Sequence, residues 1–305
     1  MVQQVSWSGV FPAVTTQFND DFSVNLEATR RVIEGLIRDG VSGLVICGTV
    51  GENTSLSMAE KVSIVEMAKD AAKGRVPVIS GIAEFTSANA LTMAKEVQRI
   101  GADGIMLMPA LVYSSKPFET AAHYRTVAGG IDLPVMVYNN PPVYKNDVTP
   151  DILISLADCE NIVCFKDSSG DTRRFIDVRN EVGDRFVLFA GLDDVVLESI
   201  AVGAVGWVSG MSNAFPKEGE TLFRLAKAGR FAEAIPLYEW FMPLLHLDAR
   251  PDLVQCIKLC EAIMQRGKAL TRPPRLALQG EERRYIEKIM QHALDHRPQL
   301  PDVGL

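Results

Sequence analysis

The stretch GVSGLVICGT, residues 40–49, combines a glycine pair with an apolar run, and this unit occurs twice more along the chain. The other copies are GADGIMLMP from residue 101 and GAVGWVSGM from residue 203. The first glycine suits the left-handed position that ends a helix. An uninterrupted apolar run is typical of a parallel strand that is covered on both faces. The unit therefore predicts a helix, a short loop and a buried parallel strand, repeated along the chain.

Helical patterns lie between these strands. Residues 29, 32, 33 and 36 follow the i, i+3, i+4, i+7 spacing after Asn25, a favourable N-cap, and Ser57 with Glu60 has the spacing of a capping box. Strands are expected near 10–17, 43–48, 77–81, 104–108, 134–138, 162–166, 186–191 and 205–209. Eight βα units over about 225 residues predict a (β/α)8 barrel. A doubly wound sheet is the competing fold, but the chain has no GxGxxG fingerprint.

Beyond residue 213 the strand pattern stops. Helical stretches follow near 217–228, 230–245, 251–267 and 280–295, interrupted by TRPPR at 271–275. We therefore expect residues 1–212 to form the barrel core, with its eighth helix running to residue 228. Residues 229–305 are expected to form a C-terminal helical extension that packs on the barrel and is not an independent catalytic domain.

Composition and charge exclude several classes of protein. The 305 residues are 47% hydrophobic and 23% charged, as in ordinary globular proteins, and the net charge of -7 argues against nucleic-acid or acidic-membrane partners. The N-terminus has no signal-peptide pattern and no apolar stretch reaches membrane-spanning length, so we expect a cytoplasmic protein. The five cysteines have no CxxC spacing, and the four histidines fall on predicted helices or their ends, so no metal site is indicated.

The active site of such a barrel lies at the carboxyl ends of its strands, and strand 6 ends in an unusual residue. Ile162–Phe165 is an apolar run, and Lys166 follows before any turn residue. The lysine could reach the rim with its charged end or pair with Asp167. Alternatively, it could be a Schiff-base nucleophile, because an apolar interior disfavours the ammonium form and frees the amine to attack a carbonyl. Position alone leaves both interpretations open.

Two other strand ends carry candidate residues. GTVGEN, residues 48–53, could be only a tight turn, or its backbone N–H groups could bind a carboxylate, with a hydroxyl from Thr49 and support from Glu52. YNNPP begins with Tyr138, which could be a core aromatic residue with a satisfied hydroxyl. A phenol beside Lys166 could instead relay protons to and from a carbinolamine.

These motifs carry a resemblance to a known family. GVFPAVTTQF, GTVGEN, YNNPP, FKDSSGD and GWVSGMSN occur in this order before the helical tail. Along nearly its whole length the chain resembles the dihydrodipicolinate synthase / N-acetylneuraminate lyase family of class I aldolases. The resemblance implies that Lys166 forms an imine with a 2-oxo acid, without a metal or other cofactor. It also implies that Tyr138 is the proton-relay phenol and that Thr49 hydrogen-bonds it.

The resemblance implies further substrate-binding positions and an assembly. In many family members a second hydroxyl follows the threonine, whereas this chain has Val50, so the substrate carboxylate would depend more on backbone N–H groups. Tyr113 is the nearest match to a second tyrosine that a neighbouring subunit often contributes. The family implies a homotetramer built as a dimer of dimers. The substrate-binding residues carried over are Gly48, Thr49, Val50, Val143, Ser209 and Gly210.

One departure from the family pattern bears on the reaction. True synthases have an arginine five residues after the tyrosine, and this chain has Val143, followed by Tyr144 and Lys145. A lone ammonium does not reproduce the bidentate fork of arginine, so condensation with a semialdehyde is not expected. GTVGENTSL, YNNP and WFMPLLHLD look most similar to 1-pyrroline-4-hydroxy-2-carboxylate deaminase of hydroxyproline catabolism.

In that reaction Lys166 would attack C2 of the cyclic imine, β-elimination would remove the 4-hydroxyl, and hydrolysis would release ammonia and 2-oxoglutarate semialdehyde. A dihydrodipicolinate synthase-like enzyme and a keto-deoxy sugar acid aldolase or dehydratase are the alternatives. A non-catalytic barrel that binds a metabolite is the alternative outside enzymes. The presence of Lys166, Tyr138 and Thr49 together favours an enzyme, because a binding module needs neither a nucleophile nor a proton relay.

Overall fold

The computed structural model describes residues 5–110 and 113–304. All pairings within its eight-stranded sheet are parallel, in the order β1-β8-β7-β6-β5-β4-β3-β2. Ala13 pairs with Val45 just beyond β1, and the Val14 N–H donates to the Val45 carbonyl oxygen at 2.8 Å, which closes the ring. The predicted (β/α)8 barrel is confirmed. The strands are β1 Gly9–Pro12, β2 Leu44–Ile46, β3 Val78–Ile82, β4 Gly104–Leu107, β5 Val135–Asn139, β6 Ile162–Asp167, β7 Val187–Ala190 and β8 Gly206–Ser209.

Twelve α-helices surround and extend the barrel in the described ranges. The two predicted caps are present: Asn25 accepts from the Ala28 N–H at 2.8 Å, and Ser57 and Glu60 form a capping box. No helix in the described ranges is long and apolar enough to cross a bilayer. The helices are α1 Leu26–Arg38, α2 Met58–Ala72, α3 Ser87–Ile100, α4 Pro117–Ala128, α5 Pro141–Tyr144, α6 Pro150–Ser155, α7 Arg173–Val182, α8 Val196–Ala201, α9 Pro216–Lys227, α10 Phe231–Leu245, α11 Leu253–Ile263 and α12 Gly280–Asp295.

The glycine pairs have two separate structural roles. Gly203 has a φ of +115°, which allows the chain to leave α8. Three residues later, a Cβ on Gly206 would lie 2.2 Å from the ring of Phe189 on the neighbouring strand. The copy that begins at residue 40 repeats this arrangement against the ring of Phe11. The first glycine thus ends the helix, and the second makes room for an aromatic side chain in the barrel.

Apolar side chains fill both the barrel and the space between the strands and helices. Phe11 and Phe189 meet edge to face with ring centroids 5.3 Å apart, and both are fully buried. The three helices α10, α11 and α12 follow the barrel and bury Phe241, Ile257 and Met290. The chain is therefore a barrel with a C-terminal helical part, as expected, while the division at residues 212 and 229 stays a prediction.

The predicted strand 1, residues 10–17, is too long. β1 ends at Pro12, and beyond Val14 the polar side chains bind other segments. Thr15 donates to a carboxylate oxygen of Glu261 at 2.8 Å, and Thr16 donates to the Gly51 carbonyl oxygen at 2.7 Å. Periodicity could not reveal this, because the partners of these residues lie far away in the sequence. Strand 2 also ends early, at Ile46, because Cys47 has a φ of +52°.

Candidate active site

Lys166 lies inside the barrel next to Tyr138. The two residues are register partners on β5 and β6, and Nζ of Lys166 lies 3.9 Å from the centroid of the tyrosine ring. Only 5% of Lys166 is exposed, and among residues 5–110 and 113–304 no carboxylate oxygen lies within 4.0 Å of its Nζ. Asp167 accepts from Asn139 Nδ2 at 2.8 Å and from Ser169 Oγ at 2.6 Å. The amine is therefore neither at the rim nor paired with Asp167.

A small cavity of about 30 Å³ lies at the carboxyl ends of the strands. Five of the residues singled out by the sequence line its wall: Lys166, Tyr138, Thr49, Val50 and Gly210. They come from four separate βα units, so the barrel topology brings them together. The amine of Lys166 and the phenol of Tyr138 line this cavity side by side.

The hydroxyl of Thr49 hydrogen-bonds the hydroxyl of Tyr144, and the expected bond from Thr49 to Tyr138 is not found. Tyr138 instead accepts from Asn140 Nδ2 at 2.8 Å. The reason is α5, which begins just after Asn140 and places Tyr144 over the strand ends within a single helical turn. The rings of Tyr138 and Tyr144 meet edge to face with centroids 5.8 Å apart.

Tyr144 is thus a site residue that sequence reasoning passed over. Burial raises the pKa of the Tyr144 hydroxyl, and the neighbouring Tyr138 raises it further. The hydrogen bond from Thr49 and the charge of Arg275 act in the opposite direction. A hydroxyl with this pKa is a proton donor or carrier that stays neutral at ordinary pH. The available signal was the Pro141–Pro142 pair, because proline favours the first helical turn.

Four of the predicted site residues do not line the cavity. Val143 lies on α5 with 41% of its surface exposed and does not line the cavity. Tyr113 is 56% exposed and does not line the cavity of its own chain, and its role in the site of a neighbouring subunit stays a prediction. Gly48 accepts from the Asn53 N–H at 3.2 Å, which fixes the turn after β2. Ser209 is buried and donates to Asp193 at 3.2 Å.

Asp193 organises the loop that follows β8. Its carboxylate accepts from Trp207 Nε1 at 2.8 Å and from the backbone N–H groups of Gly210 and Met211 at 3.3 and 2.8 Å. Burial raises the pKa of Asp193 to about 6, although these donors and the charge of Lys166 favour its ionised form. The N–H of Gly210 is therefore already occupied, which leaves Gly210 as a wall of the cavity.

The turn after β2 keeps unused donors beside the cavity. In the part of the chain that the structure describes, the backbone N–H groups of Thr49 and Val50 have no acceptor. Glu52 lies in this turn with a φ of +57°. Its carboxylate stabilises the turn by accepting from Lys258 Nζ at 2.7 Å and from the Arg272 N–H at 2.9 Å. Glu52 thus braces the loop as expected, and free N–H groups at a turn are the arrangement that binds a carboxylate.

The C-terminal extension contributes one acidic residue to the cavity. Asp248 follows α10 and lines the same wall as Lys166 and Tyr138. Burial raises the pKa of Asp248 well above its usual range, the charge of Asp193 adds to this, and the charge of Lys166 opposes it. Asp248 is the last residue of the WFMPLLHLD segment, but the resemblance carried by that segment assigned it no role, and it reaches the site only through tertiary packing. No cluster of three or more metal-ligating side chains occurs in the described ranges.

The fold and site together define a class of protein: a (β/α)8 barrel with a buried lysine beside a phenol at the carboxyl ends of its strands. The family model described as Dihydrodipicolinate synthetase family matches residues 6–293, and the chain belongs to that family. It is an enzyme family of the class I aldolase superfamily that works through a lysine imine, without a metal or other cofactor.

Relatives of known name agree with this family. A 4-hydroxy-tetrahydrodipicolinate synthase of Koribacter versatilis is 33% identical over 93% of this chain and 95% of its own length. An uncharacterized DapA-like lyase of Rhizobium meliloti is 35% identical over 70% of this chain and 71% of its own. The crystal structure of dihydrodipicolinate synthase from Aquifex aeolicus has a TM-score of 0.90 at 26% identity and covers 93% of this chain and 97% of its own.

Proposed function

We propose that Lys166 forms an imine with a small 2-oxo acid or cyclic imine and that the enzyme then eliminates a group from this single substrate. The observation that carries the proposal is the charge of the cavity wall. Lys166 is the one cation on the described wall, and the other ionisable residues there are the phenol Tyr138 and the carboxyl Asp248. A second substrate with its own carboxylate would meet no positive group and would be desolvated without a partner.

The side chains on the wall supply the steps that elimination requires. The N–H groups of Thr49 and Val50 bind the substrate carboxylate and direct C2 toward Lys166. The amine attacks C2, and Tyr138, beside Nζ, transfers protons during carbinolamine formation and collapse. Tyr144 and Thr49 extend this relay. Loss of a C3 proton then gives an enamine, which expels a leaving group from the next carbon.

The first substrate to test is 1-pyrroline-4-hydroxy-2-carboxylate, whose deamination begins with this imine exchange and loss of its 4-hydroxyl. Keto-deoxy sugar acids share the same reactive group and are the next substrates on the panel. A metabolite-binding barrel without activity would not need the amine of Lys166 to stay unpaired next to a phenol.

Condensation is the second candidate, and the names of the relatives favour it more than they favour the deaminase. The synthase of Koribacter versatilis, for example, is similar over 93% of this chain. Arg275 is the cation that could replace the missing arginine, because its charge acts on Tyr144 at the edge of the cavity. Arg275 does not line the cavity, and elimination is proposed from the residues that do.

The test measures kcat/KM for ammonia release from 1-pyrroline-4-hydroxy-2-carboxylate and for condensation of pyruvate with aspartate semialdehyde. We expect the first reaction to proceed and the second to be undetectable, and Lys166→Ala to abolish all turnover. Condensation at about 10⁴ M⁻¹s⁻¹ or above, as ordinary enzymes show, would contradict elimination. Arg275→Met then identifies the replacement, because loss of semialdehyde binding in that variant would assign the role to Arg275.

The homotetramer implied by the family is also a proposal. Phe85 and Phe118 are 65% and 68% exposed, and large exposed apolar side chains are typical of surfaces that another subunit covers. Light scattering on the purified protein should give four times the mass of one chain. A monomer at micromolar concentration would contradict this.

A further inference from the structure

Asp248 places a carboxyl in the cavity from outside the barrel. It lies just after α10, where its N–H donates to the Leu245 carbonyl oxygen at 3.0 Å. Its side chain rests against the bare Cα of Gly210, because a Cβ there would lie 2.2 Å from Oδ1 of Asp248. The glycine after β8 therefore makes room for this carboxyl to reach the cavity that Lys166 lines.

Two neighbouring carboxyls at this end of the barrel, Asp193 and Asp248, differ in the number of donors that stabilise their negative charge. Asp193 accepts from one indole N–H, one hydroxyl and two backbone N–H groups, all of which stabilise its negative charge. For Asp248, the nearby backbone N–H of Asp193 favours the ionised form of the carboxyl, whereas the charge of Asp193 opposes it. When two close carboxyls compete, the one with fewer donors keeps the proton. Burial and the charge of Asp193 hold the pKa of Asp248 well above its usual range, in agreement with this assignment.

We propose that Asp248 is the general acid that protonates the leaving hydroxyl in the elimination, an inference that rests on the proposed function. Lys166 and Tyr138 account for imine chemistry, but neither supplies the proton that the departing oxygen needs. The carboxyl of Asp248 is the remaining acid on the described wall of the cavity. A hydroxide leaves poorly, and a positioned acid typically accelerates such a step by about 10²–10⁴-fold.

In the enamine on Lys166, the nitrogen lone pair forms the C2=N bond, and the electrons of the C2=C3 bond move to form C3=C4. The bond from C4 to the hydroxyl oxygen breaks, and its electron pair stays on the oxygen. That oxygen takes the proton of Asp248 and departs as water. The carboxylate that remains is reprotonated from solvent before the next turnover.

The test compares wild type with Asp248→Asn, which keeps the shape and neutrality of the side chain but has no acidic proton. We expect kcat for the 4-hydroxy substrate to fall by about 10²-fold or more. Borohydride trapping of pyruvate on Lys166, and exchange of the pyruvate methyl protons in D₂O, should stay within a few-fold of wild type. Asp295→Asn, the same change at an exposed position on α12, is the matched control and should leave kcat unchanged.

A substrate analogue separates acid catalysis from a structural role. Fluoride in place of the 4-hydroxyl departs without protonation, so Asp248→Asn should turn over the 4-fluoro analogue at nearly the wild-type rate. Equal losses with both substrates, or no loss with the hydroxyl, would overturn the role of Asp248 while the proposed function stands. Failure of the wild-type enzyme to eliminate water from any hydroxyl substrate overturns the proposed function and this inference together.

Discussion

Removal of the Lys258 ammonium should destabilise the fold strongly. Lys258 Nζ and Glu52 Oε1 are 2.7 Å apart, and both side chains are fully buried. Coulomb's law gives about 6 kcal/mol for unit charges at this 2.7 Å distance if the effective dielectric constant is about 20. Loss of the hydrogen-bonded partner leaves the carboxylate of Glu52 buried, and measured costs for such losses are about 3–5 kcal/mol. We expect Lys258→Met to lower the free energy of unfolding by that amount.

Urea unfolding followed by circular dichroism measures this change, with the midpoint expected to fall and the slope m to stay the same. Lys268→Met is the matched control, since the pair of Lys268 with Asp20 is exposed and such pairs contribute about 0–1 kcal/mol. The double variant Lys258→Met with Glu52→Gln should recover part of the loss, because it removes both charges. If Lys258→Met costs no more than Lys268→Met, the buried pair does not stabilise the fold and the reasoning is wrong.

Three single substitutions test individual contacts: Tyr144→Phe, Gly206→Ala and Glu60→Gln. Tyr144→Phe should lower kcat by about 10²-fold, because it removes one hydroxyl of the relay, while borohydride trapping persists. Activity within a few-fold of wild type would mean that Tyr144 only packs against its neighbours. Gly206→Ala should cost about 1–3 kcal/mol in urea unfolding from overlap with the adjacent ring, whereas Gly35→Ala inside α1 should be neutral or stabilising. Arg272 hydrogen-bonds Glu60 and lowers its pKa from 4.5 to about 2. The contact therefore stabilises the fold fully when the pH lies above the unfolded pKa of 4.5. That contribution is lost as the pH falls toward 2. Glu60→Gln should therefore make the free energy of unfolding fall less steeply between pH 4.5 and pH 2. An unchanged pH dependence in this variant would refute the role of Glu60.

The barrel could be predicted because its signals are local. A glycine that ends a helix, an apolar run and a capping residue each act within a few positions, and these units follow one another along the chain. Lys166 stood out for the same reason, since a charged residue directly after a four-residue apolar run is visible without any tertiary information.

The errors arose where long-range contacts decide the structure. The first strand ends at Pro12, and Thr15 beyond it binds Glu261, which lies 246 positions away. Thr49 meets Tyr144 through a single helical turn whose direction no periodicity reveals. Asp248 reaches the cavity only because the extension packs over Gly210. Strand ends therefore predict which barrel residues meet, but not which residues of other segments join them.

Trapping of the imine tests the central claim most directly. Borohydride added with pyruvate should leave a stable mass adduct on the peptide that contains Lys166. The peptides of Lys61 and Lys258 should carry none, because both are buried against carboxylates, Glu84 at 2.5 Å and Glu52 at 2.7 Å. The adduct should disappear in Lys166→Arg. Turnover by the wild-type enzyme without an adduct on Lys166, or an adduct that persists in Lys166→Arg, would contradict the assignment of Lys166 as the nucleophile.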